Sequence, residues 1–303
     1  VKSIRELDNV RRGVMVSAPA TAMRNATAQI GRIGMHTLTG VYDETLNVMF
    51  NPLRKAFGAE VRPVDYSRAF SLITNLTKDA KKAKELTDLT LKYSDYSKNR
   101  LFNNYASDVS DMTSNKTFRR TQKFVDTLNF FNRVQEYHYR RGMFAASLDK
   151  SLRQRGSSMQ EVLEAGDNAF TSIGGKPPLL REDDIRKAVD DSLDFTYAKE
   201  PNNALLKGMV KLANSVPFAT TALVPFARFM ANAMEFQFKH SPLGFTQLLN
   251  PSEIKKIVGG DYKAFSQAAI GSAALLAAIE AKRDGHAGNE KWYEIRVGDQ
   301  TYD

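Results

Sequence analysis

Apolar residues in this chain recur at alternating three- and four-residue steps over runs far longer than a strand, and that spacing restricts it to a fold built mainly from helices. The first run opens with Ser17 and Pro19 and carries Met23, Ala26, Ile30, Ile33, Thr37 and Val41 on one stripe. Gly31, Gly34 and Gly40 lower its helix propensity by up to about 1 kcal/mol each relative to alanine, a cost that close helix packing would offset. The run is expected to end before Asn51-Pro52, because the residue preceding proline is pushed out of the helical region. A second run, 67–92, places Ala69, Leu72, Leu76, Ala80, Ala83 and Leu86 or Thr87 on one face and Lys78, Lys81, Lys82 and Lys84 between them, the pattern of one solvated amphipathic helix.

A polar stretch, 94–114, reads as a loop or a broken helix. From Thr117 to Arg155 the pattern predicts a single helix of about 58 Å at roughly 1.5 Å per residue, unless Gly142 interrupts it. Ser158 and Glu161 have capping-box spacing and start a short helix ending near Gly166. The segment Ile173-Gly174-Gly175-Lys176-Pro177-Pro178 is the clearest linker, and a helix over about 181–199 follows. Residues 201–239 are strongly apolar, but Pro217 and Pro225 each remove a backbone donor, which predicts kinked or separate short helices. A short helix from Pro251 and a longer one over about 260–283 come next. Trp292 to Val297, alternating before Gly298-Asp299, reads as a strand entering a turn. The expected fold is therefore mainly α: an elongated array of amphipathic helices with a short C-terminal β-element. Its expected divisions are a long-helix region at 1–172, the Gly/Pro linker at 173–180 and a second helical region at 181–303.

Composition decides which chemistries remain. The chain has no cysteine, so disulfides, thiolate metal sites and cysteine nucleophiles are excluded. Its net charge of +9 is uneven: residues 61–156 hold 19 basic against 10 acidic residues, whereas 157–303 hold 16 against 19. A basic middle third favours an anionic partner, although such a field also simply keeps a helical array in solution. Within it Arg119, Lys123, Arg133 and Arg141 fall in an arc of about 80° at roughly 100° per residue, with aromatic residues interleaved as on nucleic-acid surfaces. Asp126 and Phe144 share that arc, so arginines at the rim of an aromatic helix bundle fit equally.

Catalytic and metal signatures are absent from the sequence. His36, His138, His240 and His286 stand far apart, without the i, i+3 or i, i+4 partner of a helical metal site. Gly174-Gly175-Lys176 lacks the flanking residues of a phosphate loop. The acidic clusters at 182–184 and 190–194 suit solvated helix faces and an N-terminal turn. No enzyme activity, cofactor or metal is therefore expected. Two uncharged runs of 16 residues, between Lys211 and Arg228 and between Lys263 and Glu280, fall short of the roughly 20 needed to cross a bilayer. The second sets Ala269, Ala273 and Ala277 four apart beside Gly271, a small-residue spacing that permits close helix approach. With Pro217 and Pro225, these residues are the candidate membrane or subunit interface.

Three stretches carry a resemblance: Arg11 to Ala22, Pro225 to Ala233, and Trp292 to Asp299. They resemble segments of very large virion proteins of short-tailed bacteriophages, the internal or ejection proteins that leave the capsid with the genome. The likeness covers about a sixth of the chain and contains no catalytic motif. It implies a structural protein, held in the virion interior and then in the host periplasm and inner membrane, that forms a homo-oligomeric DNA conduit with other ejection proteins. DNA, bound without sequence preference, and the host inner membrane are the further partners implied. Because Val1 stands first and the terminal strand pattern breaks off, a piece of a longer polypeptide is expected. The alternative is a non-catalytic helical scaffold within a giant phage virion enzyme, a polymerase or antirestriction protein.

Overall fold

A computed structural model describes residues 19–59, 61–101, 127, 130–172, 175, 177–199, 208, 227–283, 295–297 and 300–302. The fold is mainly α. The helices are α1 (Pro19–Ala56), α2 (Ser67–Leu76), α3 (Ala80–Tyr93), α4 (Asp95–Arg100), α5 (Phe130–Gln154), α6 (Met159–Ala165), α7 (Glu182–Phe195), α8 (Ala227–Lys239), α9 (Pro251–Val258) and α10 (Lys263–Arg283), with 3₁₀ helices at Gly166–Phe170 and Pro242–Leu249. The chain divides into two compact units, the first made of 1–34 and 70–235 and the second of 35–69 and 236–303. The Gly/Pro segment at 173–180 lies inside the first unit, and one core draws on both sides of it.

That core forms where α5 packs along α7. Phe144, Leu148 and Leu152 from α5 meet Ile185, Ala188, Val189 and Leu193 from α7, with Ala83 and Leu86 of α3 and Val162 of α6 closing the cluster. All of these side chains are buried. Each large one contributes about 1.5–3 kcal/mol of hydrophobic transfer. Ser158 caps α6 in a reciprocal box with Glu161, and Gly166 ends it at φ +53°, as the spacing predicted. Gly142 does not break α5. Its missing Cβ admits Leu76, whose Cδ2 would lie 2.4 Å from that atom, so the glycine serves packing instead.

Two buried arginines cross-link this unit. Arg140 is fully enclosed, donating from Nε to Thr196 Oγ1 at 3.1 Å and from Nη1 to the Leu101 carbonyl at 3.0 Å, and pairing with Glu136 one turn away. Arg32 of α1 donates to the Asp194 carbonyl at 3.2 Å and stacks on Tyr197 at 3.6 Å and Phe195 at 4.8 Å. Burial lowers its pKa to about 10, against smaller opposing effects of Tyr197 and Asp194. Tyr197 adopts φ +60°, a backbone state rare outside glycine. That turn brings its ring onto the guanidinium.

Two expectations about helix limits are corrected. First, α1 does not stop at Asn51 but continues through Pro52 to Ala56. Tertiary contacts carry it past the proline: Asn51 Nδ2 donates to the Arg62 carbonyl at 2.9 Å, and Phe50 packs on Tyr262. Second, the single helix expected at 67–92 is two helices. At the break, the Asp79 N–H turns back to the Thr74 carbonyl at 2.9 Å, and Thr77 Oγ1 bonds the Ile73 carbonyl. The stretch from Ser94, expected to be a loop or a broken helix, opens with the short helix α4, which Ser94 Oγ caps by accepting from the Ser97 N–H. The expected helix from Thr117 is described from residue 130 onward, together with Thr127; its earlier part lies outside the described residues.

Candidate functional site

The second unit inverts the usual arrangement of apolar and polar residues. On the part of α1 that belongs to it, Thr39, Asp43 and Asn47 are buried, while Leu38, Val48, Met49 and Leu53 are exposed. At about 100° per residue the buried positions cluster on the side facing away from Val41 and Val48. The stripe read from the sequence is covered in part: Thr37 is buried, Ala26, Ile33 and Val41 are half-buried, and Ile33 packs on the Leu72–Met143 cluster. Met23 and Ile30 at its start are exposed. Of the glycines on this helix only Gly40 meets a close neighbour, since its Cβ would lie 3.0 Å from Ala69 Cα; Gly31 and Gly34 have nothing within 4 Å.

The buried polar side chains form a clasp. Arg62 Nη1 lies 3.1 Å from Asp43 Oδ2 and Nη2 lies 2.6 Å from Glu44 Oε1. Arg62 also donates to the Gly260 carbonyl at 3.0 Å. The second oxygen of Glu44 accepts from the Asp65 N–H, and Asp43 Oδ1 accepts from the Tyr262 N–H. Gly260 sits at φ +83°, with Arg54 Nη1 2.2 Å from where a Cβ would be. Both carboxylates are thus saturated by one guanidinium and backbone donors, which holds a loop and a turn onto α1. Buried acids bound this way are structural partners rather than a general acid–base pair.

Leu46, Ala69, Tyr262 and Ala268 are buried in this unit, but many of its larger apolar residues are exposed. Phe57 is 85% exposed, Leu249 81%, Val258 64% and Leu276 61%. Among the residues of α9 none is buried. Helix α10 packs on the 3₁₀ helix 242–249 through its first half only, where Ser266, Ala268 and Gly271 are buried. Gly271 is required there: a Cβ would lie 2.2 Å from the His240 carbonyl oxygen and 2.5 Å from its Cα. Beyond Ser272 every residue from Ala273 to Glu280 is exposed.

The candidate interface residues thus separate. Gly271 is buried, Ala269 half-buried, and Ala273 and Ala277 exposed. Pro217 and Pro225 lie outside the described residues. Of the four candidate phosphate contacts, Arg133 and Arg141 sit half-buried on α5, Arg133 with Nη2 3.3 Å from Tyr137 Oη, while Arg119 and Lys123 lie outside the described residues. Helix α10 also corrects the membrane estimate. It is 21 residues long, because Lys263 and Lys282-Arg283 are themselves helical, and it is long and apolar enough to cross a membrane. Among the described residues no group of three or more histidine, aspartate or glutamate side chains could hold a metal ion.

Sequence reasoning missed the Asp43–Glu44–Arg62 clasp and the outward apolar face. Its one signal was the Asp43-Glu44 pair standing inside an otherwise apolar helical run. No protein-family model, curated protein or solved structure matches this chain.

Proposed function

We propose that the chain is a non-enzymatic structural protein of a short-tailed phage virion, ejected with the genome and assembled from identical copies into a DNA conduit across the host envelope. The observation that carries this reading is the inverted second unit, which buries Asp43, Glu44 and Asn47 and leaves Leu38, Val48, Leu249 and Leu276 exposed. Apolar surface on that scale costs free energy in water and is relieved when other copies or lipid cover it. Long helices suit the task, since one heterologous contact repeated around a ring closes a tube. The resemblance at 11–22, 225–233 and 292–299 names the class of particle. A short β-element closes the chain in this reading, with Ile295–Val297 set antiparallel to Gln300–Tyr302. Before ejection the protein lies in the virion interior, and afterwards it occupies periplasm and inner membrane with other ejection proteins.

The basic middle third, with Arg119, Lys123, Arg133 and Arg141, faces the DNA in this arrangement. Each phosphate neutralised contributes about −0.9 to the log–log salt dependence of duplex binding, so removing these four charges together makes the slope shallower by up to about four, equally for unrelated sequences. Filter binding across low to moderate salt measures it. Sedimentation and electron microscopy of the full chain test the assembly: a ring or tube is expected, and a chain that stays monomeric with and without lipid overturns the conduit in favour of a helical scaffold.

A further inference from the structure

We infer that α10 is a bilayer-crossing helix, with Lys263 at one headgroup layer, Lys282 and Arg283 at the other, and the 3₁₀ helix 242–249 beside it in the near leaflet only. This extends the envelope part of the reading above but needs no ring.

Three observations carry it. The first is the distribution of apolar surface around the helix. A docking face for another protein occupies one side, yet Ala273, Ala274, Leu275 and Leu276 are all exposed, and four successive residues at about 100° sample every side. The helix has no polar face with which to lie flat in a membrane surface, as an interfacial helix requires. Only an apolar medium surrounds such a segment.

The second is length. Residues 264–279 carry no charge, and Lys263 to Lys282 spans about 28 Å at roughly 1.5 Å per residue, against a hydrocarbon core of about 30 Å. The lone acid near the end, Glu280, lies 3.6 Å from Arg283 and is offset by it.

The third is charge at the ends. Residues 236–283 hold six basic residues, Lys239, Lys255, Lys256, Lys263, Lys282 and Arg283, against three acidic ones. Basic residues flanking an apolar run match anionic headgroups, and long lysine and arginine side chains reach them from the edge of the core. The near leaflet agrees. The packed residues Ala268 and Gly271 come about 8 and 12 Å after Lys263 along the axis. Ala268 lies against Gly244 of the 3₁₀ helix and Gly271 against the backbone of His240 before it; residues 241–252 carry no charged side chain, and Leu243 and Leu249 are exposed.

The chain's lack of cysteine supplies the test. Single cysteines at Ala273, Ala274, Leu275 and Leu276 of the full chain are labelled with an environment-sensitive fluorophore and mixed with vesicles of phosphatidylcholine and phosphatidylglycerol carrying acyl-chain spin labels. Quenching at all four positions is the expected result, together with protection of Arg283→Cys from an external impermeant thiol reagent. Quenching at one or two of the four, or at none, overturns the inference. Leu276→Lys places a charge at the far half of the core and lowers vesicle partitioning by about a hundredfold. Because Leu276 is exposed, its circular dichroism in buffer stays that of the parent, so unchanged partitioning counts against insertion and not against folding. Insertion by a monomer keeps this inference and overturns the conduit; a ring that ignores vesicles does the reverse.

Discussion

The first unit buries Phe144, Leu148, Leu152, Ile185 and Val189 and turns its charges outward or into paired contacts, while the second buries a carboxylate pair with its arginine and presents leucines and valines to the outside. Both are helical, and both come from similar three- and four-residue patterns. The difference teaches that helical periodicity specifies an apolar side without specifying what will cover it. In the first unit the cover is another helix of the same chain. In the second a polar clasp covers one side, and much of the apolar side is exposed.

The strongest break of this comparison is a pair of core deletions. Phe144→Ala in the first unit should cost about 3–5 kcal/mol, the range for a large buried aromatic, whereas Leu276→Ala in the second should change stability in buffer by less than about 0.5 kcal/mol. Denaturant unfolding of the two variants measures both. Equal costs would mean that the second unit has an ordinary apolar core.

Arg62→Met tests the clasp at a similar scale. It removes the guanidinium that bridges Asp43 and Glu44 and leaves two buried carboxylates, a change worth about 3–5 kcal/mol. Denaturant unfolding measures the loss, and Arg62→Lys, which keeps the charge but not the two-pronged fork, should recover only part of it. An Arg62→Met variant as stable as the parent would show that the clasp does not hold the loop.

Overfilling gives a smaller contrast within a single helix. Gly271→Ala puts a methyl against the His240 backbone and should cost about 1–3 kcal/mol, while Ala273→Leu, two residues on, should be nearly neutral in buffer. Thermal unfolding ranks the two. The alanine spacing at 269, 273 and 277 alone would have ranked them the other way, and a destabilising Ala273→Leu would restore that reading.

The smallest effect is alkaline. Burial raises the Tyr197 and Tyr139 pKa values above the usual phenol value of about 10. A group whose folded pKa is raised contributes stability that is complete below its unfolded pKa and is lost as pH climbs through the folded one. Tyr197→Phe should therefore flatten part of the stability decline above about pH 10 and remove a late-titrating phenolate from the absorbance titration. Loss of a phenolate that titrates at the usual value of about 10 would show instead that the ring is solvated.

Much of the secondary structure could be read from residue order, because capping and periodicity act over a few residues. Ser158 with Glu161, Pro251 as the first residue of a helix, and Gly166 as a terminator all act locally and all appear where expected. Helix limits were misread where distant groups intervene. Pro52 stays helical because Asn51 and Phe50 are held from elsewhere in the chain, and nothing within a few residues of the proline announces those contacts. The surface of the second unit was legible only as a list of small and apolar residues. Which of them were covered depended on Gly271 meeting the His240 backbone and on Arg62 reaching Asp43 and Glu44, pairings separated by 31, 19 and 18 positions.

By itself the sequence determined a mainly helical chain, free of cysteine chemistry, with a basic middle third and an uncharged helix near its end. Those properties follow from composition and from interactions a few residues apart. Tertiary structure alone decided that Leu38, Val48, Met49 and Leu53 of α1 would be exposed, that Arg32 and Arg140 would be buried and Arg62 half-buried, and that α10 would be covered for half its length. Burial is a property of what arrives on each face. The free energy of desolvating an arginine or a carboxylate is offset only by partners that the fold brings from far along the chain.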